Sequence, residues 1–306
     1  MLGSHYNCTY KAAPSTSQLL HNLNGRQEAI FWFSVSFLTF TLGFTVYHCW
    51  NLFKEIQPGT STFKTKKMLF IQCTYLVYSA ISFVSLISPR TSVLGQLVFS
   101  VYLSFALKEL MVVIMRLLLM DNEVYELYGA VSLSQPPLAC CFCCLCPSVK
   151  LSKNFFYFVK VGVFQAVFLR PLLCYFGAVI WLNGNSELGI ESGYMSILDY
   201  IDAASLLIAM YCMSMLYNGT QEQSDPNELS TKYSCIQMVC LISGLQHAIL
   251  GLLSKHQVIP CDPVFNSQLR ASDIHSFLVL GEMPILLVLS SFRKRRRLCQ
   301  KSNSIE

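Results

Sequence analysis

Charge is what this chain has least of. Only 13% of its 306 residues are Asp, Glu, Lys or Arg, about half the share of a soluble domain, while 53% are hydrophobic and the mean hydropathy is +0.46. Other absences narrow the field. No glycine-rich phosphate loop is present, which argues against an ATP-driven pump. There is no Asp-His-His-Cys, no His-Glu-x-x-His and no Ser, His and Asp in a credible order, so no enzyme is expected and no cofactor or metal is called for. No internal repeat shows, and no appended soluble domain is expected. The polar stretch Met1–Glu28 lacks the apolar core of a cleavable secretory signal, so the first apolar run is expected to direct its own insertion.

What is there is a series of apolar blocks of roughly twenty residues, enough to cross a hydrocarbon layer of about 30 Å as helix. The blocks read as seven spans: Ala29–Phe53, Met68–Ser88, Val93–Met120, Asn154–Trp181, Ser196–Leu216, Ser234–Leu253 and Ile274–Phe292. The third is interrupted by Lys108, Glu109 and Arg116, and the fifth is weakened at its start by Asp199 and Asp202, so six spans is the alternative count. The expected fold is an all-α integral membrane bundle of seven helices. It would comprise an outer tail (1–28), the helical domain (29–292) with a long cytosolic loop (121–153), and a basic cytosolic tail (293–306).

Basic residues near the span ends set the expected orientation. With the N-terminus outside, the cytosolic side carries thirteen: Lys54, Lys64, Lys66, Lys67, Lys150, Lys153, Lys232, Arg293, Lys294, Arg295, Arg296, Arg297 and Lys301. The outer side keeps five, Lys11, Arg26, Arg90, Lys255 and Arg270. In that orientation the sequon at Asn7 is exposed to glycosylation and the one at Asn218 is not. Cys8 and Cys261 are then the cysteines on the oxidising side, where they either pair as a disulfide or stay as two thiols.

The 121–153 loop holds the oddest chemistry. Cys140, Cys141, Cys143, Cys144 and Cys146 crowd into seven residues beside a span, with Phe142, Leu145, Lys150 and Lys153 around them. Zinc sites space their cysteine pairs differently and this loop has no His, so S-palmitoylation is the favoured fate, with reduced thiols as the alternative. Several acyl chains would hold the loop to membrane lipids. The run Arg293–Arg297 directly after the last span would keep the C-terminus inside and face anionic lipid; it is not read as a nucleic-acid site.

Ionisable residues inside spans are costly and mark candidate function. The candidates for a solute pathway are Arg170, Glu282, Gln165, Asp202, Lys108, Glu109 and Gln246, with His247 beside them. Arg170 precedes Pro171 near the middle of the fourth span and would pair with Asp202 or Glu282. Lys160 and Asp199 read instead as residues reaching an interface. For any of these, buried ion pairs that only fix packing are the competing explanation.

The cysteine run after a Pro pair, Phe164-Gln-Ala-Val-Phe-Leu-Arg-Pro-Leu172 in the fourth span, Leu245-Gln246 in the sixth, Ile259-Pro-Cys261 in the last outer loop and Glu282 in the seventh together resemble the organic solute transporter alpha-subunit family over roughly residues 29–297. The resemblance implies seven spans with an outer N-terminus, an acylated cysteine-rich loop, and a plasma-membrane address. It also implies passive carriage of amphipathic organic anions such as bile acids and steroid conjugates, with a single-span beta-type partner subunit. A higher oligomer is left open. The competing class is a seven-helix receptor that signals without transport. Against it, the third span ends Val-Ile-Met-Arg116-Leu-Leu rather than in an acidic-Arg-aromatic triplet, the seventh lacks Asn-Pro-x-x-Tyr, and residues 182–193 contain no Cys.

Overall fold

The computed structural model describes residues 16, 25–54, 62–120, 153–183, 190–220, 226–260 and 267–302. Among them the chain is helical throughout, with no strand, and seven helices are long and apolar enough to cross a membrane. These are α1 (Gly25–Lys54), α2 (Thr62–Ile87), α3 (Ser92–Met120), α4 (Lys153–Asn183), α5 (Ile190–Thr220), α6 and α7 (Ser267–Ser302). A 3-10 turn over Pro89–Thr91 joins α2 to α3. Helix α6 is α-helical over Pro226–Leu241, forms a π turn over Ile242–Gln246 and is α-helical again over His247–Lys255.

Each helix follows from its residues. The apolar runs lose little by satisfying their backbone internally, which is the only arrangement open to a spanning segment. The helices overrun the apolar runs: α5 begins at Ile190 and α7 continues through Arg293–Arg297, because polar residues with good helix propensity extend a helix that hydropathy alone would end. Pro171 and Pro284 lie within α4 and α7 without ending either. Helix α6 stops where Gln257 takes a left-handed conformation (φ 55), with Val258 N–H donating to the Leu253 carbonyl at 3.0 Å. That is the backbone of a Schellman cap with Gln in the position glycine usually holds.

The polarity of the fold is inverted relative to a soluble protein. Trp32, Phe33, Phe40, Trp50, Tyr157, Phe168 and Tyr175 are exposed, while Ser34, Thr41, Thr74, Ser79, Ser82 and Ser104 are buried. The exposed pairs Trp32 and Trp50 on α1 and Tyr157 and Tyr175 on α4 are each separated by 18 residues. Eighteen residues of helix rise about 27 Å, close to the hydrocarbon thickness, so both pairs fit the aromatic belts of a bilayer.

The chain divides into two compact units. In the unit built from Met1–Asn51, Gln72–Phe99 and Leu241–Val288, α1 buries a hydroxylic face of Ser34, Thr41 and Thr45. Phe31 meets Phe83 of α2, with ring centroids 6.1 Å apart. Tyr78 stacks on Phe99 of α3 at 4.4 Å, and the backbones of α2 and α3 approach so closely that a Cβ on Gly95 would stand 2.9 Å from Ile81. In the unit built from Leu52–Ile71, Ser100–Cys240 and Leu289–Glu306, the core is Leu103, Leu107, Leu110 and Ile114 of α3, Val159 and Val163 of α4, Ala209, Met213 and Leu216 of α5, and Ile236 and Val239 of α6. Helices α4 and α5 pack together extensively, and Gly162 lets them do so: a Cβ there would collide with Cys212. Small residues at such contacts are how membrane helices come close.

Candidate functional site

The second of these units holds two sets of paired charges. On α4, the Arg170 side chain is 7% exposed and lies against Asp202 of α5. Its Nε donates to Asp202 Oδ1 at 2.9 Å and its Nη2 to Oδ2 at 3.0 Å, the bidentate fork that guanidinium and carboxylate make best. Of the two partners considered for Arg170, the structure supplies Asp202. Gln165 lies on the same helix, and its Nε2 is buried with no hydrogen-bond partner; Ser205, one turn beyond Asp202, has a buried hydroxyl in the same state.

The other set joins α2 to α3. Glu109 pairs with Lys67 of α2, and Lys108 Nζ stands 3.8 Å from the other carboxylate oxygen. Lys108 also lies 5.7 Å from the centre of the Phe105 ring, a cation–π contact. Two lysines therefore share one carboxylate. The sequence counted Lys67 with the loop that precedes its span, so its role as the partner of Glu109 was not read.

Glu282 is placed differently, in the first unit. Its Oε1 accepts from Gln246 Nε2 at 3.3 Å, and its Oε2 is buried with no partner. Gln246 Oε1 in turn accepts from His275 Nδ1 at 3.1 Å. The His275 ring meets His247 edge to face at 5.3 Å, and Gln96 Nε2 of α3 lies 3.1 Å from His247 Nε2. The chain Gln96, His247, His275, Gln246, Glu282 thus ties α3, α6 and α7 together. Neither His275 nor Gln96 was a sequence candidate. His275 had a readable signal, because it stands seven residues, about two turns, before Glu282 on one helix face.

Lys160 is exposed and lies 6.0 Å from the Phe164 ring centre, as a residue reaching an interface would. The Asp199 side chain, the loop cysteines Cys140, Cys141, Cys143, Cys144 and Cys146, and Asn7, Cys8 and Cys261 lie outside the described residues. Among the described residues, no group of three His, Cys, Asp or Glu is placed to hold a metal ion.

Seven membrane-length helices with charges paired inside them define a multi-pass helical membrane protein. The family model for the organic solute transporter Ostalpha matches residues 30–293, which take in nearly the whole helical region, and the chain belongs to that family. It is 26% identical over 169 residues to the organic solute transporter subunit alpha of Leucoraja erinaceus, covering 54% of this chain and 48% of that one. It is 26% identical over 167 residues to the same-named protein of Danio rerio, covering 54% and 51%, and 22% identical over 161 residues to that of Bos taurus, covering 52% and 47%. The chain spans about half the length of the curated relatives it matches. No solved structure matches it.

Proposed function

We propose that this chain is the seven-span subunit of a facilitative transporter for amphipathic organic anions of the bile acid and steroid conjugate type, acting at the plasma membrane with a single-span beta-type subunit. The observation that carries the reading is the family match, which takes in nearly the whole helical region and includes Arg170, Asp202, Gln246 and Glu282. The relatives named above are transporter subunits rather than enzymes, which supports a carrier role.

The Arg170–Asp202 fork gives that role a chemistry. A guanidinium that already grips a carboxylate through two parallel N–H bonds offers the same geometry to the carboxylate or sulfonate of a solute. Asp202 then acts as an internal counter-ion that an incoming anion displaces and that closes on Arg170 again after release. Gln165, with a buried amide nitrogen awaiting an acceptor, supplies a neutral donor on the same helix. Lys108 and Glu109 form a second charged station along the path. The orientation with the N-terminus outside, an acylated 140–146 loop, a glycan on Asn7 and a Cys8–Cys261 bridge belong to the same proposal and rest on the sequence.

The test is uptake of a labelled conjugated steroid in cells expressing this chain with and without a single-span partner, surface expression being checked in both. Uptake that needs the partner supports the reading. No uptake in either condition, with the protein at the surface, would overturn the carrier reading and favour a receptor that signals without transport.

A further inference from the structure

Of the acidic side chains described within the spans, Glu109 is ion-paired with Lys67 and Lys108, and Asp202 with Arg170, whereas Asp273, near the start of α7, is in no ion pair among the described residues. Glu282 makes no ion pair among the described residues. A carboxyl group offers about four lone-pair positions, and only one on Glu282 is occupied, by a single amide N–H from Gln246. Oε2 is withdrawn from solvent and empty-handed.

The group is nevertheless held in place. Gln246 and His247 come at the end of the π turn, an element that often marks a functional position in a helix. Because an amide oxygen only accepts, His275 must donate to Gln246 through Nδ1–H, and that bond turns the Gln246 amide so that its nitrogen faces Glu282. His275 is 6% exposed, and His247 and Gln96 back it. The preceding residue, Gly281, approaches α1: a Cβ there would lie 3.9 Å from Phe37. Thr41 and Thr45 follow Phe37 at one-turn intervals. Thr41 bonds back to its own helix, while the Thr45 hydroxyl is buried with no partner.

We propose that Glu282 is a binding subsite for the hydrogen-bond donor of an amphipathic ligand, a hydroxyl or ammonium group on an apolar scaffold, and that Gln246 is its positioning residue. The carboxyl offers oxygen acceptors where Arg170 offers N–H donors, so it recognises the opposite chemistry. A hydroxylated steroid ring system carries donors on a rigid apolar frame and suits such an acceptor. The choice of a steroid scaffold rests on the transporter reading; the donor preference rests on Glu282.

The experiment is ligand-induced thermal shift on the purified full chain in lipid nanodiscs, titrated with a trihydroxylated steroid acid, the same acid without hydroxyls, and the hydroxyl-free skeleton bearing a primary amine. The wild type should bind the trihydroxylated acid about tenfold more tightly than the hydroxyl-free one, the worth of one charge-assisted bond. Glu282→Met should bring the two within about twofold of each other while the hydroxyl-free acid still binds as before, which also reports that the variant is folded. Glu282→Gln keeps the shape and one acceptor and serves if the Met variant fails to fold; it should reduce the preference without abolishing it. Gln246→Leu should weaken the hydroxylated probe alone. Amine binding that exceeds hydroxyl binding and collapses in Glu282→Gln identifies ammonium as the donor, and the reverse order identifies hydroxyl. An undiminished preference in the Glu282 variants, or equal loss of both acids, overturns the proposal. Wild-type protein that binds both acids alike and whose amine binding does not depend on Glu282 overturns this subsite only, whereas binding of no probe overturns the substrate class as well.

Discussion

In the proposed carriage of an anion, Arg170 is the central residue. Replacing it by Lys keeps the charge but loses the planar fork, so anion uptake should fall while surface expression holds; unchanged uptake would return Arg170 to a packing role. Replacing it by Ala strands the Asp202 carboxylate in a half-buried position. That costs about 3 kcal/mol, measurable as a lowered melting temperature in detergent, and Asp202→Asn on top of it should recover part of the loss. A smaller effect of opposite sign is expected at the end of α6. Gln257→Gly relieves a left-handed residue and should raise stability by about 1 kcal/mol in the same assay. At this scale the sequence was informative where charge stood alone in an apolar run. Arg170, Asp202 and Glu282 announced themselves, but sign left Asp202 and Glu282 both open as the partner of Arg170, and the structure supplies Asp202. It was silent where a residue's role depends on a neighbouring helix. Lys67 sat with the loop charges, His275 looked like one polar residue among several at the start of a span, and nothing in the spacing said that Gln96 would meet His247.

Helices were legible from runs of apolar residues because a spanning segment must satisfy its own backbone. Their ends were not, since helix continues through polar residues that a hydropathy window discards, as it does over Arg293–Arg297 in α7. The π turn of α6 was equally hidden: one extra residue in a turn leaves no trace in composition, although it sets the register of Gln246 and His247. The α4–α5 contact gives a test of packing. Gly162→Ala should destabilise by about 1–3 kcal/mol through overlap with Cys212, and pairing it with Cys212→Gly should restore most of the loss in a double-mutant cycle on thermal stability. A cost that is additive rather than rescued would mean the two helices do not meet there. For the loop before α4, replacing Cys140, Cys141, Cys143, Cys144 and Cys146 by Ser should abolish fatty-acid labelling; labelling that persists would point to another cysteine, such as Cys299 after the basic run, or refute the loop as the site.

On the scale of the whole molecule, seven helices with exposed aromatics and buried hydroxyls follow directly from a chain that is 13% charged, and the spans were read in the right number and order. What composition could not give is which polar groups meet from helices distant in sequence, as Gln246, His275 and Glu282 do. Topology is open to a simple check. Glycosidase treatment should shift the mobility of the wild type but not of Asn7→Gln, and Asn218→Gln should behave as the wild type. The central claim, passive carriage of an organic anion by this chain with a partner, is tested most directly in liposomes rebuilt from purified components. Labelled steroid conjugate should enter or leave according to its own gradient, without nucleotide, and only when both subunits are present. Movement against the gradient driven by ATP, or no movement in liposomes that contain both folded subunits, would contradict it.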